Sequence, residues 1–390
     1  MTPSARYAAA IEILDAILAG VAGEKALGKW ARRSRFAGSS DRANVRDLVF
    51  SCLRCRASFA ARGGALTGRG LILGYLRNAG VACDTIFSGA QYAPAKLGDA
   101  EILAPCDNPH PDTATRLDCP DWLVETLRHD LGDGFAPTMT LMQSRASVFL
   151  RVNTRRCSIE SARDRLEAEG IETEIGPLAP TALLVTNNAR RVKLSKPYLD
   201  GVVELQDAAS QAVVDTIELL AGERVLDYCC GGGGKSLAMA ARADCRFFAM
   251  DVDTRRTVDL PKRAARAGAD ITLLDHKNVQ RQSRFDLVVC DAPCSGSGTW
   301  RRNPESKWSL DREKLDKYVL IQRGILDSAS DLVTNTGRLV YMTCSLLAVE
   351  NQDLIARFTM DNPKWEMVFS RQFLPPDGGD GLYVAHLKRS

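Results

Sequence analysis

The sequence predicts an α/β protein: an open, doubly wound sheet over residues 201–390, preceded by a small α+β subdomain at 145–200 and an all-helical N-terminal domain at 1–92. Three observations lead there. After Asp200, strand-like and helix-like segments alternate, the signature of a parallel sheet covered by helices on both faces. The stretch "VLDYCCGGGGKS" (Val225–Ser236) runs from a strand through glycines into a helix, a Rossmann-like arrangement with its ligand site at the carboxyl ends of the strands. The first ninety residues instead carry apolar residues at helical spacing.

Taken in order, Ile11, Leu14, Ile17, Leu18 and Val21 mark one helix, and "ANVRDLVFSCLRCRASFA" (43–60) and "GRGLILGYLRNAG" (68–80) mark two more. Pro94, Pro105, Pro109, Pro111 and Pro120 then break any period, so residues 93–144 are expected to be a linker and connecting helix. "SVFLRVNT" (147–154) and "TALLVTN" (181–187) are strands around the charged helix "SIESARDRLEAEG" (158–170). The alternating series follows: "RVLDYC", "KSLAMAARA", "CRFFAMDVD", "TRRTVDLPKRAARAG", "DITLLD", "FDLVVCDAPC", a helix near 312–334, "GRLVYMTCS" and a helix near 348–360.

Composition narrows the class. With 45% hydrophobic and 25% charged residues, the 390-residue chain has the make-up of a globular domain set, and no apolar run is long enough to span a membrane. The net charge of +3 is unevenly spread: residues 1–80 hold 13 Lys/Arg against 5 Asp/Glu, a net of +8 that leaves −5 for the remainder. Ten of those cations lie between Lys25 and Arg62, a pattern that suits a polyanion and equally suits a solvated helix face. The opening helix contains Glu12 and Asp15 and lacks a signal-peptide core, so the twelve cysteines are expected to be reduced and the protein cytoplasmic. Cys52-x-x-Cys55 has no partner motif; it is placed on one helix, and no metal is expected.

The glycine loop admits three ligands. A nucleoside triphosphate loop needs a glycine where Cys229 stands, and the dinucleotide pattern G-x-G-x-x-G finds no match. S-adenosylmethionine has no phosphates to cradle and calls for an acid at the end of the second strand. Asp251, 24 residues after Asp227, stands there, and Asp275 closes the third strand. Capping of loop ends is the competing role for both acids.

Two strand-like segments end in cysteine motifs: "DAPCSGSGTWRRNPESKW" (291–308) and "MTCS" (342–345). In a doubly wound sheet those strands are neighbours about 5 Å apart, which sets Cys294 opposite Cys344 across the ligand crevice. A thiolate beside a methyl donor suits one reaction: addition to C6 of a pyrimidine makes C5 nucleophilic, C5 takes the methyl group, and a base removes its proton as the thiolate leaves. Lys235, Arg301 and Arg302 are candidates to lower the cysteine pKa.

These motifs, with "CCGGGGKS", "FFAMDVD", "LQDAASQ" (205–211) and "GGDGLYVAHLKR" (378–389), resemble the Sun/Fmu family of RNA cytosine-5 methyltransferases, which includes enzymes acting on 16S ribosomal RNA. The resemblance covers residues 145–390. It implies Cys344 as nucleophile, Cys294 as helper in proton removal or product release, and Asp291 at the target base beside the methyl donor. It implies a cofactor site for S-adenosylmethionine lined by Cys229, Cys230, Gly231, Gly232, Gly233, Gly234 and Lys235, with Asp251, Asp275 and Asp291. The loop departs from the family's alanine-proline-glycine-glycine-lysine form at Gly231 and Gly232. "RFAGSSDRANVRDLVFSCLR" (35–54) is similar to NusB-like RNA-binding domains. "LRVN" (150–153) looks like the start of the family's substrate-binding subdomain, so Arg151 and Asn153 are implied RNA contacts, a strand-edge role being the alternative. Arg301 and Arg302 are further RNA candidates, whereas Trp300 and Trp308 are assigned to packing rather than base stacking. The expected partner is RNA, ribosomal before transfer RNA, and the expected state is a monomer. A DNA cytosine-5 methyltransferase is disfavoured by the second cysteine, and a non-catalytic assembly factor would need neither.

Overall fold

The computed structural model describes residues 1–103 and 112–389. The chain forms two compact units: Met1–Arg145 with Trp300–Ser309, and Ala146–Thr299 with Leu310–Ser390.

The first unit is helical. Helices Pro3–Leu18, Gly23–Arg33, Ser39–Arg54, Arg56–Gly63 and Gly68–Asn78 close over a core that includes Ile13, Leu14, Trp30, Val45, Val49, Leu71 and Leu73. The single helix expected over 43–60 is two, broken at Cys55, so Cys52 and Cys55 do not share one. The break has two causes. Asp118, fully buried, accepts the N–H groups of Ala57 and Ser58 at 2.8 and 3.0 Å and the Ser58 hydroxyl at 2.7 Å, capping the second helix. At the end of the first helix, Trp308 Nε1 donates to the Leu53 carbonyl at 2.6 Å and Lys307 Nζ to the Arg54 carbonyl at 2.8 Å, satisfying acceptors the helix leaves open. Burial pushes the Lys307 amine down to about 8. Residues 113–145, with 113–144 expected to be linker and connecting helix, thus supply this unit with a buried cap and three helices, Thr113–Arg116, Val124–Leu131 and Phe135–Met142. The expected irregularity at Pro105, Pro109 and Pro111 lies outside the described residues.

The second unit holds two sheets. The smaller is antiparallel, in the order β2 (Thr173–Ile175), β3 (Ala182–Val185), β1 (Val148–Val152), β4 (Val203–Leu205). Its last strand carries the subdomain past the expected boundary at residue 200. The larger has seven strands in the order β10 (Trp365–Phe373), β11 (Leu382–Arg389), β9 (Val333–Thr343), β8 (Phe285–Asp291), β5 (Arg224–Asp227), β6 (Arg246–Ala249), β7 (Ile271–Leu273). Strands β5 to β9 are parallel, and β11 pairs antiparallel with both β9 and β10.

Successive residues of the central strands bury opposite faces, as full coverage on both sides requires. Val225, Leu287, Val289, Val340 and Met342 enter one core; Leu226, Val288, Cys290, Leu339 and Tyr341 enter the other. Strand order reverses between β5 and β8, which opens the ligand crevice of such sheets beyond their carboxyl ends.

Candidate active site

Parallel pairing brings the ends of β8 and β9 into register, Asp291 against Met342. The loop after β8 is laced to its neighbours by three backbone bonds: Ala292 N–H to the Met342 carbonyl at 2.9 Å, Gly298 N–H to the Cys344 carbonyl at 2.9 Å, and Gly381 N–H to the Gly298 carbonyl at 2.8 Å. Gly298 is required there, because a Cβ would lie 2.0 Å from the Gly381 carbonyl oxygen. The loops bring Cys294 Sγ and Cys344 Sγ to 3.4 Å, both half-buried.

The proton is shared unequally. The hydrogen bond from Cys294 lowers the Cys344 thiol below its ordinary value, outweighing burial and Asp291, with Lys235 assisting. The same bond, then burial and the charges of Cys344 and Glu350, push Cys294 well up. Of the two thiols, Cys344 is the one whose ionised form the surroundings favour, and Cys294 the one they keep protonated.

Lys235 is the cation of the site. It enters on helix Gly234–Ala240, and its Nζ pairs with Asp291 Oδ2 at 2.6 Å. Burial alone would lower the Lys235 amine, but the Asp291 charge and hydrogen bond, with Cys344, hold it above its usual value. Arg301, in the helical unit, is only 5% exposed and its carbonyl accepts from Arg54 Nε at 2.6 Å, so burial removes it from the surface expected of an RNA contact. Arg302 is exposed. Trp308 is held through its indole N–H and has the Arg56 guanidinium 4.0 Å from its ring centre, a packing role.

The glycine loop fits a cationic ligand better than a phosphate. Asp227 and Asp251 are buried, Asp291 is partly so, and Lys235, the loop's lysine, is paired to Asp291. Burial pushes Asp227 up to about 7; its Oδ2 accepts the Ser236 hydroxyl at 2.5 Å, while buried Oδ1 has no hydrogen-bond partner among the described residues. An unpaired oxygen in such a place is a seat for an ammonium or sulfonium charge, which would favour the ionised form of Asp227. S-adenosylmethionine carries both positive groups. Asp251 Oδ2 accepts the Gly231 N–H at 2.8 Å and Oδ1 the Asp253 N–H at 2.9 Å, which ties the loop to the end of β6. Asp275 is exposed and caps the helix His276–Gln280 through Asn278 N–H at 2.7 Å, the alternative role considered for it. Cys229 and Cys230 are loop walls, their thiols pushed up by burial.

The loop's departure at Gly231 and Gly232 is filled by two arginines. A Cβ on Gly231 would meet Arg256 at 2.9 Å and one on Gly232 would meet Arg263 at 3.0 Å. Arg263 also donates to the Gly232 carbonyl, and Arg256 pairs with Asp251 at 3.3 Å.

Arg151 and Asn153 are buried rather than presented to a partner. Arg151 donates to Gln206 Oε1 at 2.5 Å and to the Gly234 carbonyl at 2.9 Å, with burial drawing it down to about 10. Asn153 donates to the carbonyls of Gly201 and Ala267 at 3.2 and 2.8 Å. Arg151 thus ties β1 to the start of helix Gly234–Ala240, directly after the loop glycines, and Asn153 ties the segment after β1 to the end of helix Leu260–Ala267. Arg151→Met is expected to weaken methyl-donor binding by about tenfold, one hydrogen bond's worth, with RNA affinity unchanged; calorimetric titration with each ligand checks this.

Sequence reading missed two acids. Asp227 was legible as the last residue of β5, two positions before the loop. Glu350, fully buried, left no signal.

A family model described as 16S rRNA methyltransferase RsmB/F matches residues 214–388, and one described as an RsmF/B-like ferredoxin-like domain matches residues 119–192. Among curated proteins, a ribosomal RNA small subunit methyltransferase B of Photorhabdus laumondii is 27% identical over 284 residues, covering 69% of this chain and 66% of that one. The protein of the same name from Vibrio cholerae is 30% identical over 289 residues, covering 71% and 66%. The chain thus spans just under two thirds of these relatives' length. Among solved structures, PH0851 shares the fold with a TM-score of 0.78 at 22% identity, covering 100% of this chain and 99% of that one. A methyltransferase homolog protein from Pyrococcus horikoshii does so with 0.63 at 22%, covering 72% and 98%.

Proposed function

The chain belongs to the Sun/Fmu family, the RsmB/F group matched above, and from that premise we propose that it methylates C5 of a cytidine in ribosomal RNA through a covalent bond between Cys344 Sγ and C6. The observation that carries this reading is the cysteine pair beyond the ends of β8 and β9, its sulfurs 3.4 Å apart, in surroundings that lower the Cys344 thiol and raise that of Cys294.

S-adenosylmethionine, held by the glycine loop, Asp227 and Asp251, supplies the electrophilic methyl group. The protein's own residues do the rest. The Cys344 thiolate adds to C6, and the C5–C6 π electrons become available at C5. Asp291, fixed by Lys235, lies beside Cys344 and orients the base. After C5 is alkylated, its proton passes to water acting as base; its C–H electrons re-form C5=C6, and the C6–S bond breaks with its electron pair on sulfur, regenerating the Cys344 thiolate. Cys294, 3.4 Å from the departing sulfur, stabilises that thiolate as it leaves by donating its S–H hydrogen bond. The target nucleotide must be unpaired or flipped, because C6 is closed to a thiolate inside a stacked helix.

The test is methyl transfer from isotopically labelled donor to ribosomal RNA, transfer RNA and DNA, followed by nucleoside analysis. Label in 5-methylcytidine from ribosomal RNA is expected. Label in another nucleoside or only in DNA would overturn the reading.

A further inference from the structure

Glu350 lies in the short turn Ala348–Glu350, six residues after Cys344, and is fully buried. A buried carboxylate must be matched by cations or by dense hydrogen bonding. Here the match is all hydrogen bonds. Oε1 accepts the Ser295 N–H at 2.8 Å and Gln322 Nε2 at 2.9 Å; Oε2 accepts the Ser295 and Ser345 hydroxyls, each at 2.5 Å. Ser295 follows Cys294, and Ser345 follows Cys344. One carboxylate therefore grips the residue next to each cysteine, from two loops on neighbouring strands.

Surrounding groups reinforce the grip. Ser297 Oγ lies 3.2 Å from Ser295 Oγ and 3.1 Å from Ser345 Oγ and accepts the Leu346 N–H at 2.7 Å. Gln322 Nε2 also donates to the Pro293 carbonyl at 2.9 Å, and Tyr341 anchors the Glu350 main-chain carbonyl at 2.8 Å. Apolar side chains would pack this space without four charge-assisted bonds. The bonds converge on the two loops that carry the thiols.

We propose that Glu350 is the positioning residue of the cysteine pair, its carboxylate clamping the loop after β8 to the loop after β9 and so holding the two sulfurs at 3.4 Å. The proposal rests on the reading of Cys344 as attacker. The clamp also sets which sulfur keeps the proton. Cys294 faces Cys344 and the Glu350 charge; Cys344 faces Cys294, Asp291, Lys235 and the Thr299 hydroxyl. Removing the Glu350 charge relieves Cys294, and letting the loops part takes from Cys344 the hydrogen bond that stabilises its thiolate.

The test is the pH dependence of iodoacetamide alkylation at each cysteine, resolved by peptide mass spectrometry in the full chain, alongside kcat and KM for RNA. Wild type is expected to alkylate Cys344 with an apparent pKa below that of a free thiol and Cys294 far above it. In Glu350→Gln the Cys344 midpoint is expected to rise by about one unit and that of Cys294 to fall, the scale of one lost charge-assisted bond. kcat is expected to drop about 100-fold with KM little changed, the scale of an ångström of misplacement. If Glu350→Gln does not fold, the Ser295→Ala/Ser345→Ala double variant removes both hydroxyl grips and is expected to shift both midpoints in the same directions. Unchanged alkylation profiles in a folded variant would overturn the proposal. Because alkylation needs no RNA, a wild-type protein without methyl transfer would count against the proposed reaction alone.

Discussion

Cys344→Ala is expected to lose methyl transfer by on the order of 10⁵-fold or more, the scale of removing a covalent nucleophile, with the fold and methyl-donor binding retained. Cys344 is half-buried beyond the end of β9, and its sulfur makes its principal hydrogen bond with Cys294, so truncation opens little of the core. What is lost is the group proposed to attack C6. Cys294 does not replace it without rearrangement, since its loop is set by Glu350 and Gln322 rather than by the sulfur. In wild type, the reactive form is the deprotonated Cys344, and its thiol is lowered by the Cys294 bond. Activity is therefore expected to rise with pH along an acid limb that ends below the ordinary thiol pKa. Rate against pH for wild type, and single-turnover methyl transfer for the variant, check both statements.

The second large effect is expected at Lys235. Lys235→Met removes the cation that pairs with Asp291 and faces Cys344 and Asp227. Breaking one partner of a fully buried pair typically destabilises by about 3–5 kcal/mol; Asp291 is 34% exposed, so water screens part of this and about 1–3 kcal/mol is expected. The chemical effect is larger. Without Lys235 the Asp291 charge bears on Cys344 uncompensated, raising its thiol and shifting the acid limb of activity to higher pH. Denaturant titration gives the stability change, and the pH–rate profile gives the shift. A profile that stays in place would mean that Lys235 serves the fold alone.

The parts of the fold read correctly from sequence are those whose period comes from burial. Strands β5, β6, β8 and β9 are covered on both faces and show as continuous apolar runs, and their carboxyl ends carry the cysteines and Asp251. Strand β10 was not seen because Met367 to Arg371 are exposed along its length and a bulge falls between Met367 and Phe369. β2 and β4 are three residues each, too short for a pattern. The break at Cys55 depends on Asp118, Lys307 and Trp308, all distant in the chain, and no local propensity foretells it. In the site, the cysteine pair was legible because two neighbouring strands end in the same residue type. Arg151 and Asn153 stood out through the family resemblance, with an RNA contact and a strand-edge role both open; their buried hydrogen bonds to Gly234 and Ala267, distant in the chain, favour the structural role. Glu350 was invisible because nothing local marks a carboxylate whose four donors come from Ser295, Gln322 and Ser345.

The most direct measurement is to trap the covalent intermediate. Wild type, Cys344→Ala and Cys294→Ala are incubated with ribosomal RNA and S-adenosylmethionine and resolved on a denaturing gel. Cys294→Ala is expected to accumulate an RNA-linked band, because the adduct forms but its release is impaired, and Cys344→Ala is expected to give none. A band from Cys344→Ala that disappears when Cys294 is replaced would contradict Cys344 as the attacking residue and reverse the two roles.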